Sequence, residues 1–199
     1  MIVNIAKEQA SQRLVVNLLI AFMPAAVLGL IFHHAIKEYL FSPVTVAIAL
    51  IVGGFAILFI EKNLPVADTH TVEEMDWKHA LKVGFAQSLA LFPGISRAGA
   101  TIMGGLLFGL TRKTATEFSF FLAVPMMVAA TVFDLAKNGS LLSKDDLGIF
   151  AVGFVTAFIS ALIAVRVLIR YVSHNDFRVF AYYRIIFGIL VLAYFWPGA

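Results

Sequence analysis

LFPGISRAGATI, residues Leu91 to Ile102, places Pro93, Gly94, Ser96 and Arg97 within one short stretch of a strongly apolar part of the chain. The runs on either side, Ala80 to Phe92 and Gly99 to Leu110, are apolar. Each is only about a dozen residues long, so at 1.5 Å of rise per residue neither alone crosses a hydrocarbon core of roughly 30 Å. The pattern predicts a helical hairpin that enters a bilayer, breaks at Pro93 and Gly94, and returns to the side it came from.

The rest of the chain is consistent with that setting. Of 199 residues, 61% are hydrophobic and 14% charged, with a mean hydropathy of +0.92; a soluble domain is roughly 45–50% apolar and about 25% charged. Leu14 to Phe32 (with Pro24 and Gly29 inside), Val44 to Ile60, Phe118 to Ala136 (with Pro125), Leu147 to Ile169 and Val179 to Trp196 each have about the length of a spanning helix. Lipid leaves unpaired backbone groups unsatisfied, so the spans must be helical. The expected fold is an all-α integral membrane protein of five transmembrane helices plus one re-entrant helical hairpin. Tyr182, Tyr183, Tyr194 and Trp196 suit the interfacial belts. The polar stretch Glu61 to His79 divides the chain into 1–79, two spans and a loop, and 80–199, the hairpin and three spans. No cysteine is present, which excludes disulfides and thiolate metal sites. MIVNIAKEQASQR at the N-terminus lacks a short apolar core with a small-residue cleavage site, so the first span is expected to act as an uncleaved anchor.

Charge sets the orientation. Lys7, Arg13, Lys62, Lys78, Lys82, Arg112, Lys113, Arg170 and Arg178 fall on one side of this layout, and Lys37, Lys137 and Lys144 on the other. The basic-rich side is cytoplasmic, so the hairpin enters from the cytoplasm and the C-terminus lies outside. The same bias accounts for the net charge of +3 without a nucleic-acid partner.

Non-helical backbone and ionisable side chains at membrane depth are functional hypotheses by default. Pro93 and Gly94 end the first arm, and Ser96 can cap the second, whose free amides and positive dipole end then point at whatever Ser96 and Arg97 surround. Arg97 supplies a planar fork of donors matched to phosphate oxygens. Gly99 and its alanine neighbours let an anion approach the backbone, and Thr101, one turn beyond Arg97, adds a hydroxyl. Together they predict an anion site with phosphate as its best occupant. The plainer alternative is a helix break in which Arg97 snorkels or pairs with a carboxylate.

QSLALFPGISRAGATI, Gln87 to Ile102, resembles the proline-glycine-x-serine-arginine signature of the bacterial undecaprenyl-diphosphate phosphatases, the bacitracin-resistance membrane family. AFMPAAVLGLIFH (Ala21 to His33), EFSFFLAVPMM (Glu117 to Met127) and VGFVTAFISALIA (Val152 to Ala164) resemble it too, in order and over nearly the whole chain. The resemblance implies hydrolysis of undecaprenyl diphosphate to undecaprenyl phosphate and inorganic phosphate in the bacterial inner membrane, recycling the lipid carrier of peptidoglycan synthesis and conferring bacitracin resistance. It implies a polyprenyl diphosphate lipid as partner, a homodimer as an expected assembly, and a divalent cation, magnesium or calcium, whose ligands are not identifiable in this chain. Arg97 and Ser96 carry over as catalytic candidates, with Gly94, Gly99, Thr101 and Gln87 as diphosphate-binding candidates. Ser96 reads as a phosphate ligand rather than a nucleophile, because no base stands at a suitable spacing. Ala98 stands where the family usually has a second serine. The family's inverted-repeat plan also has an upstream acidic hairpin with paired glutamates, a serine pair and a histidine; none of His33, His34, His70, His79 or His174 sits in that context. The first repeat is thus expected to be incomplete, the chain a fragment or in need of a partner, and its activity alone slight. A transporter, flippase or non-catalytic binder of a phosphorylated lipid is the alternative function, since broken helices also mark transport sites.

Other polar residues read as structural. Thr114 and Glu117 match a capping box, and Gly105 and Gly109 a small-residue packing pair. Arg184 and Arg166 are expected to snorkel to the cytoplasmic interface. Asn17 is expected to bond between helices, and Asp134 to cap or pair locally. Asp76 and His79, beside Glu73 and Glu74, are expected in a solvated loop rather than a metal site.

Overall fold

The computed structural model describes residues 9–139 and 147–196 and contains seven α-helices. They are α1 (Gln9–Ala35), α2 (Pro43–Lys62), α3 (Trp77–Ser88), α4 (Arg97–Leu107), α5 (Arg112–Asn138), α6 (Leu147–Val172) and α7 (Arg178–Phe195), with a π-helical turn at Ile36–Leu40 and a 3₁₀ turn at Leu89–Leu91. α1, α2, α5, α6 and α7 are long and apolar enough to cross a membrane. The chain is therefore a multi-pass membrane protein, as its apolar runs predict. Lys7 and Lys144, used above for orientation, lie outside the described residues, as do the side chains of His33, His34 and Lys37.

The arms α3 and α4 are too short to span, and backbone pairing shows where they end. Thr69, ahead of α3, forms a parallel bridge with Leu110, beyond α4. The Asp68 and Thr69 amides donate to the Gly109 carbonyl at 2.9 and 3.1 Å, and the Thr111 amide to the Thr69 carbonyl at 3.1 Å. Entry and exit of the hairpin are thus stitched together on one side, which rules out a single kinked crossing. Gly109 belongs to this stitch rather than to helix packing: its φ is +92°, and a Cβ there would stand 2.6 Å from Asp68 Oδ1. Gly105 does pack, with its α-carbon face against Ala115 of α5.

Small residues bring the helices close. Gly84 of α3 lies on the Ala21 backbone of α1, Gly104 of α4 on Ala86 of α3, and Gly54 and Gly188 let α2 and α7 touch along their lengths. Phe118, Met75, Leu110, Leu122 and Val83 fill the core between them. α6 contrasts with this: no residue of its membrane-crossing window is buried.

Side-chain polar groups fasten the helix ends on the side where the hairpin enters and leaves. The Asn17 amide donates to the Met75 carbonyl at 2.8 Å, so it ties α1 to the polar loop. Glu61, its side chain 1% exposed, accepts from Arg112 Nε at 3.2 Å and from the Phe177 amide at 2.9 Å. One carboxylate thereby joins the ends of α2, α5 and α7. The capping box expected at Thr114 and Glu117 does not form: Thr111 caps α5, accepting from the Thr114 amide, and Glu117 stands 3.9 Å from Lys113. Asp134 accepts from Asn138 at 2.7 Å, one turn away.

Candidate functional site

The break is built from the backbone outward. The Ile95 amide donates to the Phe92 carbonyl at 3.2 Å, with Pro93 and Gly94 between them and Gly94 at φ +96°. That is the pattern of a type II turn, where proline presets the second position and the third demands positive φ. A Cβ on Gly94 would come within 2.6 Å of the Val46 carbonyl, so close packing on α2 demands glycine as well. Ser96 follows at φ +73°, the one positive-φ residue besides glycine among the described residues. Such a conformation costs on the order of 1–3 kcal/mol and persists only where the surroundings hold it. Here its hydroxyl accepts from the Gly99 amide at 3.2 Å and its carbonyl from the Ala100 amide at 3.0 Å. Ser96 therefore caps α4 as its sequence position predicts, and the amides of Arg97 and Ala98 have no acceptor among the described residues.

The main departure from sequence expectation is Arg184. Instead of snorkelling to the cytoplasmic interface, it is buried and turned inward, donating from Nη1 to the Ile95 carbonyl at 2.7 Å and from Nη2 to the carbonyls of Gly94 at 2.9 Å and Ala49 at 3.3 Å. The turn leaves the Gly94 and Ile95 carbonyls outside any helical ladder, and this guanidinium satisfies them. Gly53 makes the room: a Cβ there would collide with Arg184 Nη2. The Arg184 Nε proton has no partner among the described residues.

Arg97 opens α4 and is half-buried. It reaches α5, where Nη1 donates to the Ser119 carbonyl at 3.2 Å. Neither Arg97 nor Arg184 has a carboxylate within ion-pair distance among the described residues. The plainer alternative of a packing pair with an acid is therefore not what the structure contains.

Ser96, Gly99 and Arg184 line one end of a cavity of about 370 Å³ between α2, α4, α6 and α7. Gly94 contributes its carbonyl to Arg184 rather than a surface to this cavity. Thr101 and Gln87, expected on the diphosphate, lie instead between the arms, 0% and 1% exposed. The Thr101 hydroxyl donates to the Arg97 carbonyl at 2.8 Å and faces Gln87 Oε1 at 3.4 Å. Gly104 lets the two arms approach closely here, with Ala86 of α3 against it. Asp76 caps α3 by accepting from the His79 amide at 2.8 Å.

Residues 1–190 match the protein family described as bacitracin resistance protein BacA. The chain belongs to this family. It is 61% identical over 197 residues to an undecaprenyl-diphosphatase of Nitrosospira multiformis, covering 99% of this chain and 72% of that one. It is 60% identical over 191 residues to the undecaprenyl-diphosphatase of Methylobacillus flagellatus (94% and 71% covered) and 53% identical over 192 residues to that of Pseudomonas syringae pv. tomato (96% and 70%).

Proposed function

We propose that the protein hydrolyses undecaprenyl diphosphate to undecaprenyl phosphate and inorganic phosphate, and so recycles the lipid carrier of peptidoglycan synthesis and confers bacitracin resistance. The observation that carries this reading is the pair of guanidiniums beside the α4 N-terminus, on elements that we place within the bilayer, both without a carboxylate partner among the described residues. Ionisable groups at such depth are expensive unless they serve a charge, and a diphosphate brings that charge. The family membership and the names of the relatives support the same substrate.

In this reading the terminal phosphate lies on the free amides of Arg97 and Ala98 and on the Ser96 hydroxyl, with Arg97 leaving the Ser119 carbonyl to fork onto its oxygens. Water attacks the terminal phosphorus. The bond to the bridging oxygen breaks, undecaprenyl phosphate leaves with the bond's electrons, and the proton of the water passes to solvent. Charge gathers on the bridging oxygen as that bond breaks, and fixed donors at a dry helix end stabilise it without reorganisation. Arg184 holds the turn that aims these donors. The test is inorganic phosphate release from undecaprenyl diphosphate by the purified protein in detergent. Release supports hydrolysis; lipid movement in vesicles without phosphate release would favour a transporter and overturn it.

We also propose that turnover requires magnesium or calcium. No carboxylate or imidazole lines the cavity, and no cluster of three or more such side chains occurs among the described residues. The cluster at the break therefore does not fit a protein-held cation. Chelation should stop phosphate release and added magnesium restore it; release that survives chelation overturns the requirement. The bacterial inner membrane as location and a homodimer as assembly belong to the same proposal. Cross-linking in native membranes tests the assembly, with a monomer band alone counting against it.

A further inference from the structure

The cavity at the break has two ends of opposite character. At one end stand Ser96, Gly99 and Arg184; the remaining wall is apolar, with Met103 of α4, Leu168 of α6 and Phe180 of α7 among its side chains. From Ser96 to Met103 the wall follows α4 for roughly 10 Å at 1.5 Å per residue. Such a cavity matches a molecule whose anionic head is joined directly to a branched hydrocarbon. The Arg184 Nε proton, buried at the polar end without an acceptor among the described residues, is a second sign that something is meant to complete it.

We propose that this cavity seats the isoprene units next to the diphosphate, with Leu168 and Phe180 as specificity-determining residues for the lipid tail. The inference rests on the diphosphatase reading and adds where the tail goes. The cavity follows α4 from the break toward the hairpin's open end, so the first isoprene units run along α4 in that direction. Aromatic and branched walls give such a tail apolar contact that an inorganic diphosphate cannot use, so tail recognition and head recognition are separable.

Leu168→Trp fills the cavity from α6, the least buried helix, and Phe180→Ala widens it from α7. Steady-state phosphate release is measured with farnesyl and undecaprenyl diphosphates, and inorganic diphosphate is titrated as a competitive inhibitor. Losing the burial of a few apolar groups corresponds to KM rising about tenfold for both lipids in Leu168→Trp, with kcat held within about twofold. The inhibition constant of inorganic diphosphate stays unchanged. Phe180→Ala raises KM by about threefold on the same reasoning. Unchanged KM in both variants, with wild-type thermal midpoints, overturns the tail site while leaving the diphosphatase reading intact. Failure of inorganic diphosphate to inhibit the wild type strikes at the head site instead, and with it at both readings. An inhibition constant for inorganic diphosphate that rises as much as KM reveals a general distortion and also overturns the tail site.

Discussion

Arg112 and the pair Arg97 and Arg184 are the same side chain in two regions of one molecule, and they are treated differently. Arg112, in the first turn of α5, meets Glu61, whose carboxylate is otherwise bonded to the Phe177 amide. Charge there is neutralised within the chain, and the product is a knot that joins three helix ends. Arg97 and Arg184, at the hairpin break, meet only carbonyl oxygens. Carbonyls orient a guanidinium and leave its charge in place. A protein that needed these arginines only for packing could have given them acids, as it did Arg112. The difference separates a charge spent on the fold from a charge kept for a ligand.

The sharpest way to break that comparison is to remove each arginine. Arg97→Ala should lower phosphate release by about two orders of magnitude, the size expected for losing a donor to developing charge, with an unchanged thermal midpoint. Near-normal turnover would remove Arg97 from the mechanism. Arg97→Lys keeps the charge without the planar fork and should recover only part of the loss. Arg112→Ala should do the reverse. It strands a buried carboxylate, which typically costs about 3–5 kcal/mol; since the Arg112 side chain is 36% exposed, about 2 kcal/mol of unfolding free energy is the expected loss after solvent screening. Turnover per folded molecule should hold. Glu61→Gln should cost less, because the freed guanidinium reaches water. If Arg112→Ala destroys turnover without destabilising the protein, the division between the two regions is wrong.

Much of this arrangement was legible in the residues. The five spans follow from apolar run length, the hairpin from two runs too short to cross, and the break from Pro93 and Gly94, whose backbone preferences hold in any context. The Ser96 cap was legible for the same reason: it is local. What escaped was non-local. Nothing in the neighbourhood of Arg184 announces that it serves carbonyls some 90 positions away; the single trace is Gly53 opposite it, one small residue among many in α2. Where Thr101 and Gln87 would point was not legible, because a hydroxyl one turn from an arginine can face a ligand or the preceding carbonyl with equal ease, and here it bonds the Arg97 carbonyl. The packing of α3 on α4 makes the choice. Gly109 misled because its spacing from Gly105 mimics a helical stripe, whereas α4 has already ended.

Gly53→Ala sharpens the comparison from the side of Arg184 without touching the arginine. The added methyl would fall on Nη2 and stand 2.9 Å from Cζ, which displaces the guanidinium from the Gly94 and Ile95 carbonyls. A turn released from its clamp should present Ser96 and the α4 amides less well, and turnover should fall by about tenfold, about 1.4 kcal/mol of barrier. α2 and α7 should stay packed, since Gly54 and Gly188 carry that contact. Unchanged kcat in a well-folded variant would show that Arg184 has no part in aiming the site.

The smallest expected effect lies in the polar loop ahead of α3, where a charge serves a helix end. The backbone bond from the His79 amide holds the Asp76 carboxyl below its usual value of 3.8, and the loop lies in water, so pH can test it. A carboxyl depressed in the folded state contributes stability that is present above its unfolded pKa and lost as pH falls through the folded one. Asp76→Ala should therefore cost about 1 kcal/mol at neutral pH, the usual worth of an N-cap. The gap to wild type should close as pH falls below about 3.8, as the linkage requires. Asp76→Asn should keep the cap and flatten this pH dependence. Thermal midpoints of the three proteins between neutral and acid pH, read by circular dichroism in detergent, supply the check. A gap that stays constant with pH would mean that Asp76 acts by shape alone, and α3 would then be held in place by its packing on α1 rather than by its cap.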